Sequence, residues 1–181
     1  MIIAWGLGTC AYIYFYPHLF YNKIEKVIVQ NGIGVVSGGI PVNTLYEMPD
    51  LASPTTTKST LLLTGTNHDT LYAVGWLDLS QGPQILHVPD MADRYYSVEF
   101  VNSWDGSVFA YVGTRTTGTQ AGDFLITGPG WKGQVPSGMT QISSPNNSVL
   151  VLGRVLVESD SDLPTAYALS KQIQLTSLSP N

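Results

Sequence analysis

Tyr95-Tyr96-Ser97-Val98-Glu99-Phe100-Val101 alternates residue by residue, so that Tyr96, Val98 and Phe100 fall on one face of an extended segment while Ser97 and Glu99 fall on the other. A period of two predicts a strand lying half-buried against a core. Working outward, runs of similar length recur at regular spacing and predict further strands over Thr60 to Gly65, Leu71 to Asp78, Gln84 to Val88, Val108 to Thr114, Asp123 to Thr127, Met139 to Ser143 and Val149 to Glu158. Between them stand Gln81-Gly82-Pro83, Pro89-Asp90, Asp105-Gly106, Thr117-Gly118 and Gly128-Pro129-Gly130, whose residue types make turns. Short strands with this punctuation predict a mainly β fold, an antiparallel sandwich of jelly-roll type, rather than a parallel sheet that needs helical crossovers. Val149 to Leu156 is apolar on both faces apart from Arg154, which predicts a central strand covered on both sides.

The two ends of the chain read differently. No charged side chain precedes Lys23. Residues 1–32 form a hydrophobic helical segment, read as an amphipathic helix pair broken near Pro17, because proline removes a backbone donor. Asn31-Gly32 supplies the stop. Tyr12, Tyr14, Tyr16 and Tyr21 crowd one end of this segment, so docking on protein competes with a membrane anchor through residues 1–22. A cleaved signal peptide is not expected, since the start is uncharged and the apolar run before Cys10 is short. Residues 33–181 form the β-domain. It closes with a helix predicted from Leu163 to Gln174, with Asp160 to Asp162 at its start and Pro164 in its first turn.

Composition excludes several classes. Of the 181 residues only 12% are charged, so much of the exterior is neutral polar or covered by partners. A net charge of −5, with no basic stripe, opposes nucleic-acid binding. The basic residues are scattered and form no lipid-binding cluster. A single cysteine, Cys10, rules out an intrachain disulfide and reads as a buried inert thiol.

Polar chemistry is densest in Thr66-Asn67-His68-Asp69-Thr70-Leu71-Tyr72. His68 is the candidate general base, Asp69 or Asp78 its orienting carboxylate and Arg94 a holder of an anionic group, the residue types a hydrolase uses. Against this, neighbouring residues on a strand point to opposite faces, and Asn67 and Asp69 equally fit a turn that bonds backbone amides. Arg94 and Arg154 lie in or beside apolar strands, so each needs a partner, with Asp69, Asp78, Asp90 and Glu99 available. Tyr95, Tyr96, Trp104 and Tyr111 are candidates to line a carbohydrate or small-ligand pocket. His18, His68 and His87 are too scattered for a recognised metal set, although His87 and Asp90 flank Val88-Pro89. No nucleophile elbow, phosphate loop or dinucleotide fingerprint occurs, so neither metal nor cofactor is expected.

Ala11-Tyr12-Ile13-Tyr14-Phe15-Tyr16-Pro17, the run Asn67 to Leu79, Val88-Pro89-Asp90, Arg94-Tyr95-Tyr96, Gly128-Pro129-Gly130-Trp131, Leu152-Gly153-Arg154 and Asp162-Leu163 follow one another in an order and spacing that resembles the uncharacterised family termed domain of unknown function 1254, over about residues 11–178. That resemblance implies a jelly-roll β-sandwich with helical decoration, no assigned reaction or cofactor, and in many members a second β-domain downstream, which these 181 residues do not contain. The leading functional expectation is a non-catalytic structural or interaction module, docking through its apolar amino-terminal segment onto a membrane or onto protein subunits of an assembly such as a capsid, virion or envelope. The alternatives are an enzyme using His68, Asp69 or Asp78 and Arg94, and a small-ligand or carbohydrate-binding module.

Overall fold

The computed structural model describes residues 2–32, 38–52 and 67–178. The candidate strand Thr60 to Gly65 lies outside the described residues. A long helix, α1 (Ile2–Lys26), runs into a π-helical turn over Val27–Asn31, and Gly32 ends it at a φ of 81° that favours glycine. The strands are β1 (Leu45–Glu47), β2 (Thr70–Asp78), β3 (Gln84–Val88), β4 (Tyr96–Asn102), β5 (Val108–Gly113), β6 (Gly122–Thr127), β7 (Met139–Ser143) and β8 (Ser148–Leu156). A short helix, α2 (Leu163–Ser170), and a last strand, β9 (Gln174–Ser177), follow.

Two sheets form the sandwich, one ordered β1-β2-β8-β4-β5 and the other β7-β6-β3-β9. Successive strands pass repeatedly from one sheet to the other, as in jelly rolls. β8 sits in the middle of the first sheet, antiparallel to β2 on one side and β4 on the other, as its two-sided apolar sequence predicts. The facing layers meet in one core to which the first sheet contributes Leu71, Leu77, Tyr96, Val98, Phe100, Val149, Val151 and Val155, and the second Leu86, Val88, Phe124 and Ile126. The period-two reading of β4 therefore holds, with Tyr96, Val98 and Phe100 inward.

Four details differ from the sequence reading. β6 and β7 run parallel, which makes the second sheet mixed. The terminal helix stops at Ser170, and Gln174, expected inside it, begins a strand that pairs with β3. Cys10 is exposed rather than buried. Pro17 does not break α1 into a pair. The bond its missing N–H would make is lost, but the helix is held across it. Tyr16 and Phe20, one on each side of it, have ring centroids 6.2 Å apart, while Tyr12 lies 5.5 Å from Tyr16 in the turn before and Asn22 Nδ2 3.1 Å from His18 Nε2 in the turn after.

The carboxyl-terminal half of α1 is seated on the outer face of the first sheet. Ile24 and Ile28, four residues apart and thus on one helix face, are sealed against Val74, Trp76, Val101 and Leu150. Tyr21 closes over the turn at Gly106, where a Cβ would fall 2.5 Å from its ring. The seat covers the Trp76, Val101 and Leu150 end of that outer face.

Candidate functional site

The registers of the first sheet arrange its outer side chains in rows that cross the strands. Trp76, Leu150 and Val101 make the row beneath α1. Next come Val74, Leu152, Glu99 and Tyr111, then Tyr72, Arg154, Ser97 and Gly113. The polar character of the surface thus rises row by row away from the helix. Beyond the helix lies a continuous trough, two hollows of about 480 and 400 Å3 that share Tyr95, Arg115 and Arg154.

Arg154 is the centre of this surface. Its guanidinium pairs with Glu99 across the β4–β8 register and lies 5.7 Å from the centroid of the Tyr72 ring. Burial opposes its charge, but Glu99 and the phenol groups of Tyr72 and Tyr95 outweigh burial and hold the guanidinium above its ordinary pKa. Arg115 stands at the rim, its guanidinium 5.5 Å from the centre of the Tyr95 ring, a cation–π contact. Tyr111 is exposed beside it.

The residues singled out as catalytic are not gathered here. His68 is exposed in the loop that leads into β2. Asp69, also exposed, lines the larger hollow, and its backbone carbonyl accepts from the Val157 amide at 2.7 Å. Asp78 stands at the opposite end of β2, roughly 30 Å from His68 at about 3.3 Å per residue. There it caps a short turn, accepting from the Ser80 amide, the Ser80 hydroxyl and the Gln81 amide group, and the Ser80 hydroxyl above all holds its carboxyl below the usual range. Arg94 is spent on Asp162, to which it donates two hydrogen bonds of 2.5 and 2.8 Å. Asp162 was not among the partners the sequence offered for it; Glu99, found on Arg154, was. Of the four, Asp69 alone reaches the trough.

Asn67 explains why this loop is polar. Its Oδ1 accepts from the Thr70 amide at 3.1 Å and the Thr70 hydroxyl at 2.9 Å, while its Nδ2 donates to the Thr70 carbonyl at 2.9 Å. The segment is a turn lock at the mouth of β2.

The aromatic candidates divide as well. Tyr95 and Tyr111 line the trough, Tyr96 turns into the core, and Trp104 lies just after β4, at the end away from the trough, against His18 and Phe15 of α1. Tyr72, Ser97 and Arg115 escaped the sequence reading of the site. Ser97 had a signal, since alternation places it on the face opposite Tyr96. His87 pairs with Asp123 at 2.7 Å, not with Asp90, and no group of three or more His, Cys, Asp or Glu side chains is placed to hold a metal among the described residues.

The sequence profile of the family described as "Protein of unknown function (DUF1254)" matches residues 42–177, three quarters of the chain and all of both sheets. The chain belongs to the DUF1254 family. This DUF1254 domain is also similar to a crystal structure of the VPA0106 protein from Vibrio parahaemolyticus, with a TM-score of 0.71 and 27% sequence identity over 93% of this chain. The match spans only 37% of that longer protein. No functionally curated protein matches this chain.

Proposed function

We propose that this DUF1254 protein is a non-catalytic interaction module that docks onto apolar surfaces of neighbouring protein subunits through the free half of α1. One observation carries the reading. Tyr12, Ile13, Tyr14, Phe15 and Tyr16 are all exposed, Ile13 and Tyr14 by about two thirds, and five consecutive residues at about 100° each encircle the helix. A helix apolar on every side is stable when something surrounds it. The other half, sealed by Ile24 and Ile28, holds this arm at a fixed angle to the sheet.

Protein is favoured over lipid on three grounds. No helix among the described residues is long and apolar enough to cross a membrane, no basic cluster accompanies the segment, and tyrosine is enriched at protein interfaces. The Vibrio relative, most of whose chain lies outside the match, supports the idea that such a domain works beside further protein. Shell-forming assemblies such as capsids or envelopes enter by analogy of fold alone. The enzyme reading has less support, because Asp78 sits at the far end of β2 from His68 and the Arg94 guanidinium is engaged by Asp162.

The test uses the full chain and a variant carrying Tyr12→Ser, Ile13→Ser and Tyr16→Ser. Light scattering should show self-association of the natural chain and a monomer for the variant, with the same thermal midpoint. A polarity-sensitive dye on exposed Cys10 should report an apolar environment in the associated form alone. A natural chain that stays monomeric with a water-exposed dye would sink the proposal. Partition into neutral phosphatidylcholine vesicles with no self-association would replace protein by lipid.

A further inference from the structure

In the row Tyr72, Arg154, Ser97 and Gly113, the Ser97 hydroxyl is buried, with the residue only 8% exposed, yet it has no hydrogen-bond partner. A buried hydroxyl left unpaired is destabilising, and such groups occur where something else completes them. Ser97 lines the 400 Å3 hollow, a volume within the range of small-molecule sites, about 300–1,000 Å3. Its register neighbour Gly113 carries no side chain, and a Cβ there would fall 2.9 Å from the Ser97 Cα, so the strand beside Ser97 adds only backbone to this part of the hollow.

Along the trough stand three kinds of group. Glu99 and the exposed Asp69 offer carboxylate acceptors, the former shared with Arg154. Tyr95 and Tyr111 offer aromatic surface. Arg115 offers a guanidinium for which no described carboxylate lies within salt-bridge reach.

We propose that this trough binds a carboxylated sugar, a uronic-acid ring or short chain of them. Arg115 takes the carboxylate, Ser97 and Glu99 bond ring hydroxyls, and the tyrosine walls cover the C–H faces. A neutral sugar leaves Arg115 unused. A phosphate or sulfate brings charge against Glu99 and Asp69 with no hydroxyl for them to accept, and a purely apolar ligand leaves Ser97 unpaired. The trough lies at the opposite end of the same outer face from Trp104, where Phe15 and His18 of α1 pack, and none of its lining residues belongs to α1, so this inference stands or falls independently of where the arm docks.

The experiment is calorimetric titration of the full chain with trigalacturonate, and with maltotriose and sodium sulfate at matched ionic strength. Trigalacturonate should bind saturably with Kd below about 1 mM, maltotriose at least about tenfold more weakly, and sulfate should not compete. Arg115→Ala should weaken trigalacturonate by about tenfold with an unchanged thermal midpoint, and Ser97→Ala by a few-fold with a midpoint that does not fall, since it removes an unpaired buried hydroxyl. Three results each overturn the proposal: no saturable binding of trigalacturonate, equal binding of maltotriose, or an affinity that neither substitution changes. If Ser97→Ala lowers the midpoint, Arg115→Ala, at an exposed rim position, carries the decision.

Discussion

Replacing Asp162 with asparagine should cost about 2 kcal/mol of stability at neutral pH and almost nothing near pH 2. Asp162 accepts from both terminal nitrogens of Arg94, at 2.5 and 2.8 Å, and from the Glu158 amide at 3.0 Å. Arg94 Nη1 also donates to the Leu156 carbonyl at 2.7 Å. One side-chain pair thus joins the entry to β4, the exit of β8 and the start of α2. Both partners are well covered, their side chains 14% and 16% exposed, so solvent screening is modest. The Arg94 hydrogen bonds first, then the Glu158 amide, lower the Asp162 carboxyl from its ordinary 3.8 to about 2. Nearly two units at about 1.36 kcal/mol each set a ceiling of roughly 2.5 kcal/mol. Because the folded-state value is depressed, the contribution is complete above pH 4 and drains away as pH falls from about 4 to 2. Urea unfolding of the natural chain and Asp162→Asn at pH 7, 4, 3 and 2.5 measures this directly. A difference below about 0.5 kcal/mol at pH 7, or one that persists undiminished to the acid end, refutes the assignment. A cycle with Arg94→Met separates the pair's coupling from the cost of an unpartnered arginine.

Ile28→Ala, which empties a fully buried position between α1 and the first sheet, should cost about 2–4 kcal/mol by calorimetry and speed amide exchange along the helix; a cost under about 1 kcal/mol would mean that the seat is loose. In the loop before β2, Asn67→Ala should lose about 1–2 kcal/mol through its bonds to Thr70, while His68→Ala should stay within about 0.5 kcal/mol in thermal melts. The reverse ranking would restore His68 as the organising residue.

What could be read in advance follows the range of the interaction concerned. Tyr96, Val98 and Phe100 announced their strand and its buried face, and Val149 to Leu156 announced a central strand, because side-chain period is a local property. Gln174 was taken for helix, and the strand Gln174 to Ser177 went unread, because four residues carry little pattern and their strand state depends on pairing with β3, some ninety positions earlier, as in the Ser177–Gln84 contact. The three residues of β1 have the same difficulty beside β2. Pro17 looked decisive by its chemistry, yet contacts between side chains on either side of it keep the helix whole. At the site, Glu99 was visible as a partner for Arg154 because opposite charges stood on apolar strands. Asp162 was read as helix-start charge and so hidden as the partner of Arg94. Ser97 could be assigned to the outer face, but not to the uncovered part of it, since that depends on where α1 comes to rest.

The position of β8 has a consequence for how the chain comes into being. Trp76 of β2 donates its indole N–H to the hydroxyl of Ser148, 72 positions further along the chain, and β2 and β4 are each hydrogen-bonded along β8 rather than to each other. A ribosome releasing this chain must deliver residue 156 before the first sheet can close. Until then the long edges of β2 and β4, and the apolar arm of α1 made before them, stand bare together. Slow, non-local closure of this kind favours aggregation during synthesis. Expression yield should therefore respond to chaperones and growth temperature more than the stability of the finished sandwich would imply.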